Sequence, residues 1–213
     1  MTVLLTGYEP FGDHETNPSE QVARQLDGER VAGESVVGKV LPVVFDRVGE
    51  RVPELIDEYE PSAVISTGLA AGRCAISVER VAINVANCGG TPDNDEREPR
   101  DERLESAGPD ARFATIPVRD SVEALLERGI PARLSNTAGT HCCNRALYAA
   151  AGAVERRELD VPVGFVHLPP TPEAAARTAV AGEALAGGSV PASMRLDLQV
   201  EAIETVIETT LNG

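Results

Sequence analysis

Residues 2–26 read TVLLTGYEPFGDHETNPSEQVARQL and form a strand–loop–helix unit in outline. The apolar residues 2–7 predict a first β-strand, and the loop after it is rich in Gly, Pro and aromatic residues. Residues 18–26 predict a helix, because Pro18 suits the first turn of a helix and Asn17 can cap its N-terminus. Such a unit is the repeating element of α/β proteins.

The same alternation of strands and helices continues along the chain. We expect Pro53 to kink or restart the second helix, whereas the Ala/Gly-rich residues 173–190 fit no single element. Because no repeat or linker divides residues 1–213, the pattern predicts one domain, an α/β sandwich with a largely parallel sheet. Further strands are predicted at 36–42, 63–67, 74–85, 113–116, 132–135 and 163–167, and further helices at 45–59, 118–128, 140–154 and 196–211.

The charge is strongly negative, at −15, with 34 acidic residues against 19 basic ones, of which Lys39 is the only lysine. This field argues against binding of a nucleic-acid backbone, which needs clustered cations. The acids are spread among apolar residues, which favours a halophile's surface; an ordinary acidic cytosolic protein is the alternative. Residues 93–105 are almost wholly charged and predict an exposed excursion whose end could be helical.

The chain contains no apolar run long enough to cross a bilayer. Its first residues lack the basic start and small-residue cleavage site of a signal peptide, so we expect a cytoplasmic protein without membrane contact. The four cysteines, Cys74, Cys88, Cys142 and Cys143, form no C-x-x-C pair and have no histidine at zinc-site spacing. We therefore expect reduced thiols and no structural metal.

Cys143 lies in SNTAGTHCCNRALYAA, at a predicted junction between a loop and a helix. If Thr140 caps this helix, Cys143 falls in its first turn, where free backbone amides and the helix dipole favour a thiolate. The same amides could stabilise an oxyanion. The alternative is a buried structural cysteine that shares a helix face with Ala146 and Leu147.

Two further residues complete a possible nucleophilic site. His167 ends the apolar run VPVGFVH, where it suits a general base, or is an ordinary half-buried residue. Glu79 interrupts CAISVERVAIN and shares a strand face with Val81 and Ile83, so an ionised carboxylate there needs a partner unless that face is wet. A thiol, an imidazole and a carboxylate are the parts of a cysteine hydrolase.

Tyr8 and Phe11 lie in the loop after the first strand, in a chain with only seven aromatic residues of the Phe, Trp and Tyr types. Two aromatic residues there suggest a flat, apolar wall for a ligand. A turn that merely buries Phe11 is the alternative.

An ordered series of motifs then carries a family resemblance: TGYEPFG with NPS, GLAAGR, SVERVAIN, PDN, SNTAGTHCCN, GFVHLP and PASM before an amphipathic helix. From Thr6 to the C-terminus the chain resembles the pyroglutamyl peptidase I family of cysteine peptidases. The resemblance implies a three-layer α/β/α fold of the phosphorylase/hydrolase type with a mixed, mostly parallel sheet, often assembled as a tetramer. It also implies removal of N-terminal pyroglutamyl residues from peptides, with no metal or cofactor.

The resemblance further implies the roles of individual residues. The cysteine before Asn144 is the nucleophile, which is Cys143 and not Cys142. The base is His167 and the acid that orients it is Glu79. Tyr8, where the family usually has Phe, and Phe11 and His141 would contact the lactam ring.

Two departures from the family pattern are visible. An arginine three residues before PDN is replaced by Gly90, and an aromatic residue two before the nucleophile is replaced by His141. The loss at Gly90 keeps open a non-catalytic relative that binds lactam-capped peptides. A related fold used for nucleoside phosphorolysis is the third hypothesis, although GLAAGR offers only Arg73 for a phosphate.

Overall fold

The computed structural model describes residues 1–182 and 188–213. The strands are β1 (Thr2–Tyr8), β2 (Arg30–Val31), β3 (Glu34–Leu41), β4 (Ala63–Leu69), β5 (Ile76–Glu79), β6 (Val81–Ile83), β7 (Ala111–Phe113), β8 (Ala132–Ser135) and β9 (Val163–Leu168). The helices are α1 (Pro18–Leu26), α2 (Phe45–Tyr59), α3 (Val118–Glu127), α4 (Cys142–Arg156), α5 (Pro172–Ala181) and α6 (Leu196–Asn212). None of the helices in the described ranges is both long and apolar enough to cross a membrane.

Seven strands form one mixed sheet in the order β2-β3-β1-β4-β9-β5-β8. The pairs of β1 with β3, β1 with β4, and β4 with β9 are parallel. β5 runs antiparallel to β9, and β8 follows the direction of β5. The short strands β6 and β7 pair separately. The predicted α/β sandwich with a mixed, mostly parallel sheet is confirmed.

Each face of the sheet has its own core, because successive side chains of a strand point to opposite faces. On one face Val3 and Leu5 of β1 belong to a cluster that includes residues of α1, α3 and α6. On the other face Leu4 and Tyr8 belong to a cluster that includes residues of α2 and α4. The three layers α/β/α follow directly from this division.

Several predicted elements are confirmed closely. Helix α1 begins at Pro18, and the Asn17 side chain accepts a hydrogen bond from the Ser19 backbone N–H, as a cap should. Helix α2 continues through Pro53 as one element, so the restart that we expected as one of two outcomes does not occur. Its buried face, which includes Val52 and Ile56, provides packing that offsets the hydrogen bond lost at proline.

The long strand predicted at 74–85 is wrong, because the chain leaves the main sheet at Arg80. β5 ends at Glu79, and β6 pairs with β7 in the second sheet. Glu79 therefore does not share a strand face with Val81 and Ile83, which belong to the second sheet. The predicted strand 113–116 is likewise displaced to Ala111–Phe113.

Two further predictions need correction. The helix predicted from residue 140 begins at Cys142, and Thr140 does not cap it, since its hydroxyl donates to the Asn87 carbonyl. The charged residues 93–105 are mostly exposed but contain no helix, and Asp93 is buried. Of the ambiguous residues 173–190, those up to Ala181 lie in α5, and 183–187 lie outside the described residues.

Helix α1 lies so close to the sheet that glycine is required beneath it. A Cβ atom on Gly38 would stand 2.0 Å from the Ala23 carbonyl oxygen, and one on Gly7 would stand 2.0 Å from the Ser19 carbonyl oxygen. Both obstacles are backbone atoms, which a rotamer change cannot move.

We expect Gly38→Ala to lower the free energy of unfolding by about 3 kcal/mol, because α1 must move away from β3. Denaturant unfolding measures this change. Gly72→Ala is the matched control, since a Cβ atom there meets no atom within 4 Å. Equal stabilities of the two variants would contradict the close approach of α1.

Candidate active site

The first turn of α4 presents Cys143 as the second residue of the helix. Asn144, which is fully buried, fixes this turn to the chain around β6. Its side chain accepts from the Ile83 N–H at 2.8 Å and donates to the Ile83 and Val85 carbonyls at 2.8 and 3.0 Å. Cys143 is therefore held in the first helical turn, as the sequence predicts, but by Asn144 and not by a cap from Thr140.

Tyr8 supports the same helix from the sheet side. Its hydroxyl donates to the Cys142 carbonyl at 2.8 Å, and the side chain is 2% exposed. Because the ring is buried beneath α4, it helps to position the helix that carries Cys143. Tyr8 is therefore too buried to form the flat, apolar ligand wall that we expected of this loop. Phe11, which is half-buried, remains the candidate for that wall.

Gly68 lets the thiol approach the sheet. A Cβ atom on Gly68 would stand 2.7 Å from Cys143 Sγ and 2.9 Å from Phe165 Cζ. Gly68 of β4 is also the register partner of His167 in β9. The half-buried thiol of α4 thus lies against Gly68 of β4, and the imidazole of the neighbouring strand β9 lies at the same level and on the same face of the sheet.

His167 Nδ1 lies 2.7 Å from Glu79 Oε1. Glu79 is the last residue of β5, not an interior one, and it is fully buried. Because β5 runs antiparallel to β9, Glu79 is paired with Phe165, one side-chain level below His167 on the same face. Since a carboxylate only accepts, Nδ1 carries the proton and Nε2 of the neutral ring is left as an acceptor.

Arg73 is a member of this site that the sequence reasoning did not identify. Its Nη1 donates to the same Oε1 of Glu79 and lies 3.3 Å from His167 Nδ1, and its Nη2 donates to the Thr137 carbonyl at 3.4 Å. The motif GLAAGR held the signal, because an arginine in a loop at the end of a buried strand is positioned to reach a neighbouring carboxylate. Glu79 Oε2 is buried and has no hydrogen-bond partner within the described part of the chain.

The charges of this cluster shift one another's pKa values. Burial by itself raises the pKa of Glu79, but the hydrogen bond and charge of His167, aided by Ser135 and Arg73, bring it below its ordinary value. Burial lowers the pKa of His167; Glu79 opposes this shift and Arg73 adds to it. Burial also raises the pKa of the Cys143 thiol to about 12, where Glu79 adds to the rise and Arg73 opposes it.

An aromatic group stands beside the first turn of α4. The ring of His141, the N-cap residue, lies 4.8 Å from the ring of Phe45 and 6.1 Å from that of Phe11, measured between centroids. His141 Nε2 lies 3.1 Å from the Thr91 carbonyl oxygen. The replacement at position 141 therefore keeps a flat ring next to Phe11 and adds polar nitrogens to it.

The PDN motif holds the loop that carries Phe11. Asp93 accepts from the Phe45 backbone N–H at 3.0 Å and so supplies the cap that α2 lacks locally. Asn94 donates to Glu9 Oε1 at 2.8 Å and to the Pro10 carbonyl at 3.1 Å. These bonds fix the loop after β1 against the start of α2.

Gly90 provides no cation to the site. Its φ angle is +91°, a left-handed conformation that favours glycine, and a Cβ atom there would meet open space. The nearby Arg97 does not take its place, because its guanidinium bonds to Asp46 and Glu102. The cation that contacts the acid and lies beside the imidazole is Arg73.

Known proteins resemble this chain along its whole length. The family model for pyroglutamyl peptidase matches residues 1–213. A pyrrolidone-carboxylate peptidase of Thermococcus onnurineus is 43% identical over 213 residues, with 100% of both chains covered. A pyrrolidone-carboxylate peptidase of Pyrococcus furiosus is 38% identical over 211 residues, covering 99% of this chain and 98% of the relative.

Solved structures give the same result. A pyrrolidone carboxyl peptidase from Pyrococcus furiosus superposes with a TM-score of 0.93 at 38% identity, covering 100% of this chain and 99% of the other. The enzyme from Thermococcus litoralis gives a TM-score of 0.91 at 36% identity, covering 99% and 93%. The fold and its relatives define a cysteine-type peptidase. The chain belongs to the pyroglutamyl peptidase family.

We expect Arg73→Met to raise the pKa of His167 by about one unit, because loss of the neighbouring positive charge favours the protonated ring. An NMR titration measures this shift, since the chain contains only three histidines. Arg73→Lys retains the charge and should show a smaller shift. Identical titration curves for the Met variant and the unaltered protein would show that Arg73 does not act on the ring electrostatically.

Proposed function

We propose that this protein hydrolyses the bond after an N-terminal pyroglutamyl residue of peptides, through a thioester on Cys143. The observation that carries the proposal is the hydrogen bond between His167 and Glu79. This bond fixes the tautomer in which Nε2 can take a proton. The ring belongs to β9, and the thiol lies against Gly68 of the neighbouring strand β4. Membership of the pyroglutamyl peptidase family supplies the substrate class.

In this mechanism His167 Nε2 takes the proton of Cys143 as Sγ attacks the pyroglutamyl carbonyl carbon. The C–N bond to the next residue breaks, and the protonated His167 gives its proton to the leaving amine. Water, deprotonated by the same nitrogen, then attacks the thioester and releases pyroglutamate and the thiol. Glu79 accepts from Nδ1 throughout and stabilises the imidazolium.

The pKa directions favour general-base catalysis over an ion pair that exists before substrate binds. Burial raises the pKa of Cys143 and lowers the pKa of His167, so the resting pair is a thiol and a neutral imidazole. The proton therefore moves when the carbonyl is attacked, and Glu79 stabilises the charge that appears on the ring.

The first turn of α4 supplies the groups that would stabilise the oxyanion. Among the residues that the structure describes, no side chain caps this helix end, and the first bond within the helix is the one from the Arg145 N–H to the His141 carbonyl. The backbone N–H groups of Cys142, Cys143 and Asn144 come before that bond in the chain, so they have no acceptor within the helix. Preorganised amides of this kind are worth several kcal/mol of barrier in acyl transfer.

The shape of the site suits the proposed substrate. A pyroglutamyl group is a flat, neutral lactam, so its recognition needs a flat wall and amide partners but no acidic anchor. Phe11 and His141 provide such a wall next to Cys143. The phosphorolysis hypothesis is disfavoured, because Arg73, on which a phosphate site would depend, is bound to Glu79.

The proposal is tested by release of a chromophoric amine from a pyroglutamyl amide in the presence of a reducing agent. We expect Cys143→Ser to lower kcat/KM by about a thousandfold or more, because the hydroxyl is a much weaker nucleophile at this position. Cys142→Ser is the matched control, and a prolyl amide tests the requirement for the lactam.

A folded protein that releases no amine but binds the pyroglutamyl amide would support the non-catalytic alternative. Loss of activity in Cys142→Ser but not in Cys143→Ser would show that Cys142, and not Cys143, is the nucleophile. Hydrolysis of the prolyl amide at a similar rate would contradict recognition of the lactam.

We further propose that the acidic surface is a halophile's, in a cytoplasmic homo-oligomer that the resemblance suggests is a tetramer. The support for the first point is the excess of 34 acidic over 19 basic residues. Exposed Phe113 and Val180, 64% and 78% accessible in the single chain, are apolar positions that subunit contacts would cover.

We expect the melting temperature to rise steeply from dilute buffer to about 1 M KCl, where the screening length falls to about 3 Å and repulsion between carboxylates is relieved. Thermal melts at several KCl concentrations measure this. Potassium glutamate series at equal ionic strength separate screening from effects of chloride. A melting temperature that is independent of salt would contradict a halophilic surface.

A further inference from the structure

His141 lies at the start of the helix that carries Cys143. It precedes Cys143 by two residues and is the N-cap of α4. Its ring is half-buried and lies between the buried ring of Phe45 and the half-buried ring of Phe11. Phe11 belongs to the loop after β1, whose last residue, Tyr8, bonds to the first residue of α4.

The hydrogen bond from His141 to the main chain fixes which nitrogen carries the proton. A backbone carbonyl only accepts, so the bond of 3.1 Å to the Thr91 oxygen requires the proton on Nε2. Burial lowers the pKa of His141, although Asp93 opposes the shift, and the ring is therefore neutral near pH 7. In that tautomer Nδ1 is an acceptor, and it has no hydrogen-bond partner among the residues that the structure describes.

A pyroglutamyl group has one hydrogen-bond donor in its ring, the lactam N–H, which could bind an acceptor such as His141 Nδ1. Its ring N–H is bonded to the carbon that bears the scissile carbonyl, so the donor lies two bonds from the atom that Cys143 attacks. An aromatic hydrocarbon ring at position 141 would provide the same flat face without an acceptor. The histidine therefore adds to the aromatic wall an acceptor that can distinguish a ring with an N–H group from a ring without one.

We propose that His141 is a specificity-determining residue, whose neutral Nδ1 accepts a hydrogen bond from the lactam N–H of the pyroglutamyl group. This inference rests on the proposed function. A site that hydrogen-bonds a substrate N–H discriminates against an analogue that lacks it, because the acceptor is then left without its partner.

The experiment compares two chromogenic amides in the unaltered protein and in His141→Phe. One amide carries the pyroglutamyl group, and the other carries a 3-oxocyclopentane-1-carboxyl group, in which CH2 replaces the ring N–H. We expect the unaltered protein to prefer the lactam in kcat/KM by about tenfold, the value of one hydrogen bond. His141→Phe should lose most of this preference while it retains the aromatic face between Phe11 and Phe45.

The outcomes separate this inference from the proposed function. Absence of turnover of either amide by the unaltered, folded protein would count against the proposed function. Turnover of the pyroglutamyl amide with the same preference in both proteins would overturn the role of His141 and leave the proposed function standing.

Two further measurements guard against a variant that fails to fold. His141→Leu is a second variant without an acceptor and should lose the preference in the same way. Inhibition of the unaltered protein by 2-pyrrolidone and by cyclopentanone needs no substitution, because the two rings differ only at the N–H. We expect 2-pyrrolidone to inhibit about tenfold more tightly, and equal inhibition would overturn the proposal.

Discussion

A fully buried carboxylate is the constraint on which the site depends. Glu79 has no access to water, and an ionised group in such a place is tolerated only when donors compensate its charge. Arg73 and His167 both converge on its Oε1. The demand for compensation in turn fixes the proton of His167 on Nδ1, so that the acceptor nitrogen is left for chemistry. The orientation of the His167 ring thus follows from the cost of burying a charge.

Cys143 is positioned by a second, independent set of contacts. Asn144 bonds α4 to the chain at Ile83 and Val85, and Tyr8, the last residue of β1, donates to the Cys142 carbonyl of α4. Gly68 sets how closely the thiol approaches the sheet, since any side chain there would collide with Cys143 Sγ. Glu79, His167 and Cys143 are therefore carried by packed elements, which hold a defined geometry better than mobile loops do.

Local sequence patterns predicted the parts of this structure that depend on neighbours along the chain. Asn17 caps α1 because a cap and the helix it starts are adjacent, and Cys143 lies in a first helical turn for the same reason. The antiparallel course of β5 depends on long-range packing, and alternation of side chains carries no information about direction. The break at Arg80 and the pairing of Arg73 with Glu79 follow from that course, so they were missed.

The electrostatics of the site suit a substrate without charge. A thiolate and imidazolium held permanently between Glu79 and Arg73 would require solvation that this buried position does not provide. Instead, burial disfavours the charged form of both Cys143 and His167, and the resting site is neutral at these two groups. The lactam of the proposed substrate is uncharged, so its binding does not favour the charged forms of Cys143 and His167. In the proposed mechanism, charge separates only as the carbonyl is attacked, and Glu79 already bonds to the ring that becomes charged. The proposed mechanism therefore requires that a thiol that is a poor nucleophile at rest become reactive only when a carbonyl is placed beside it.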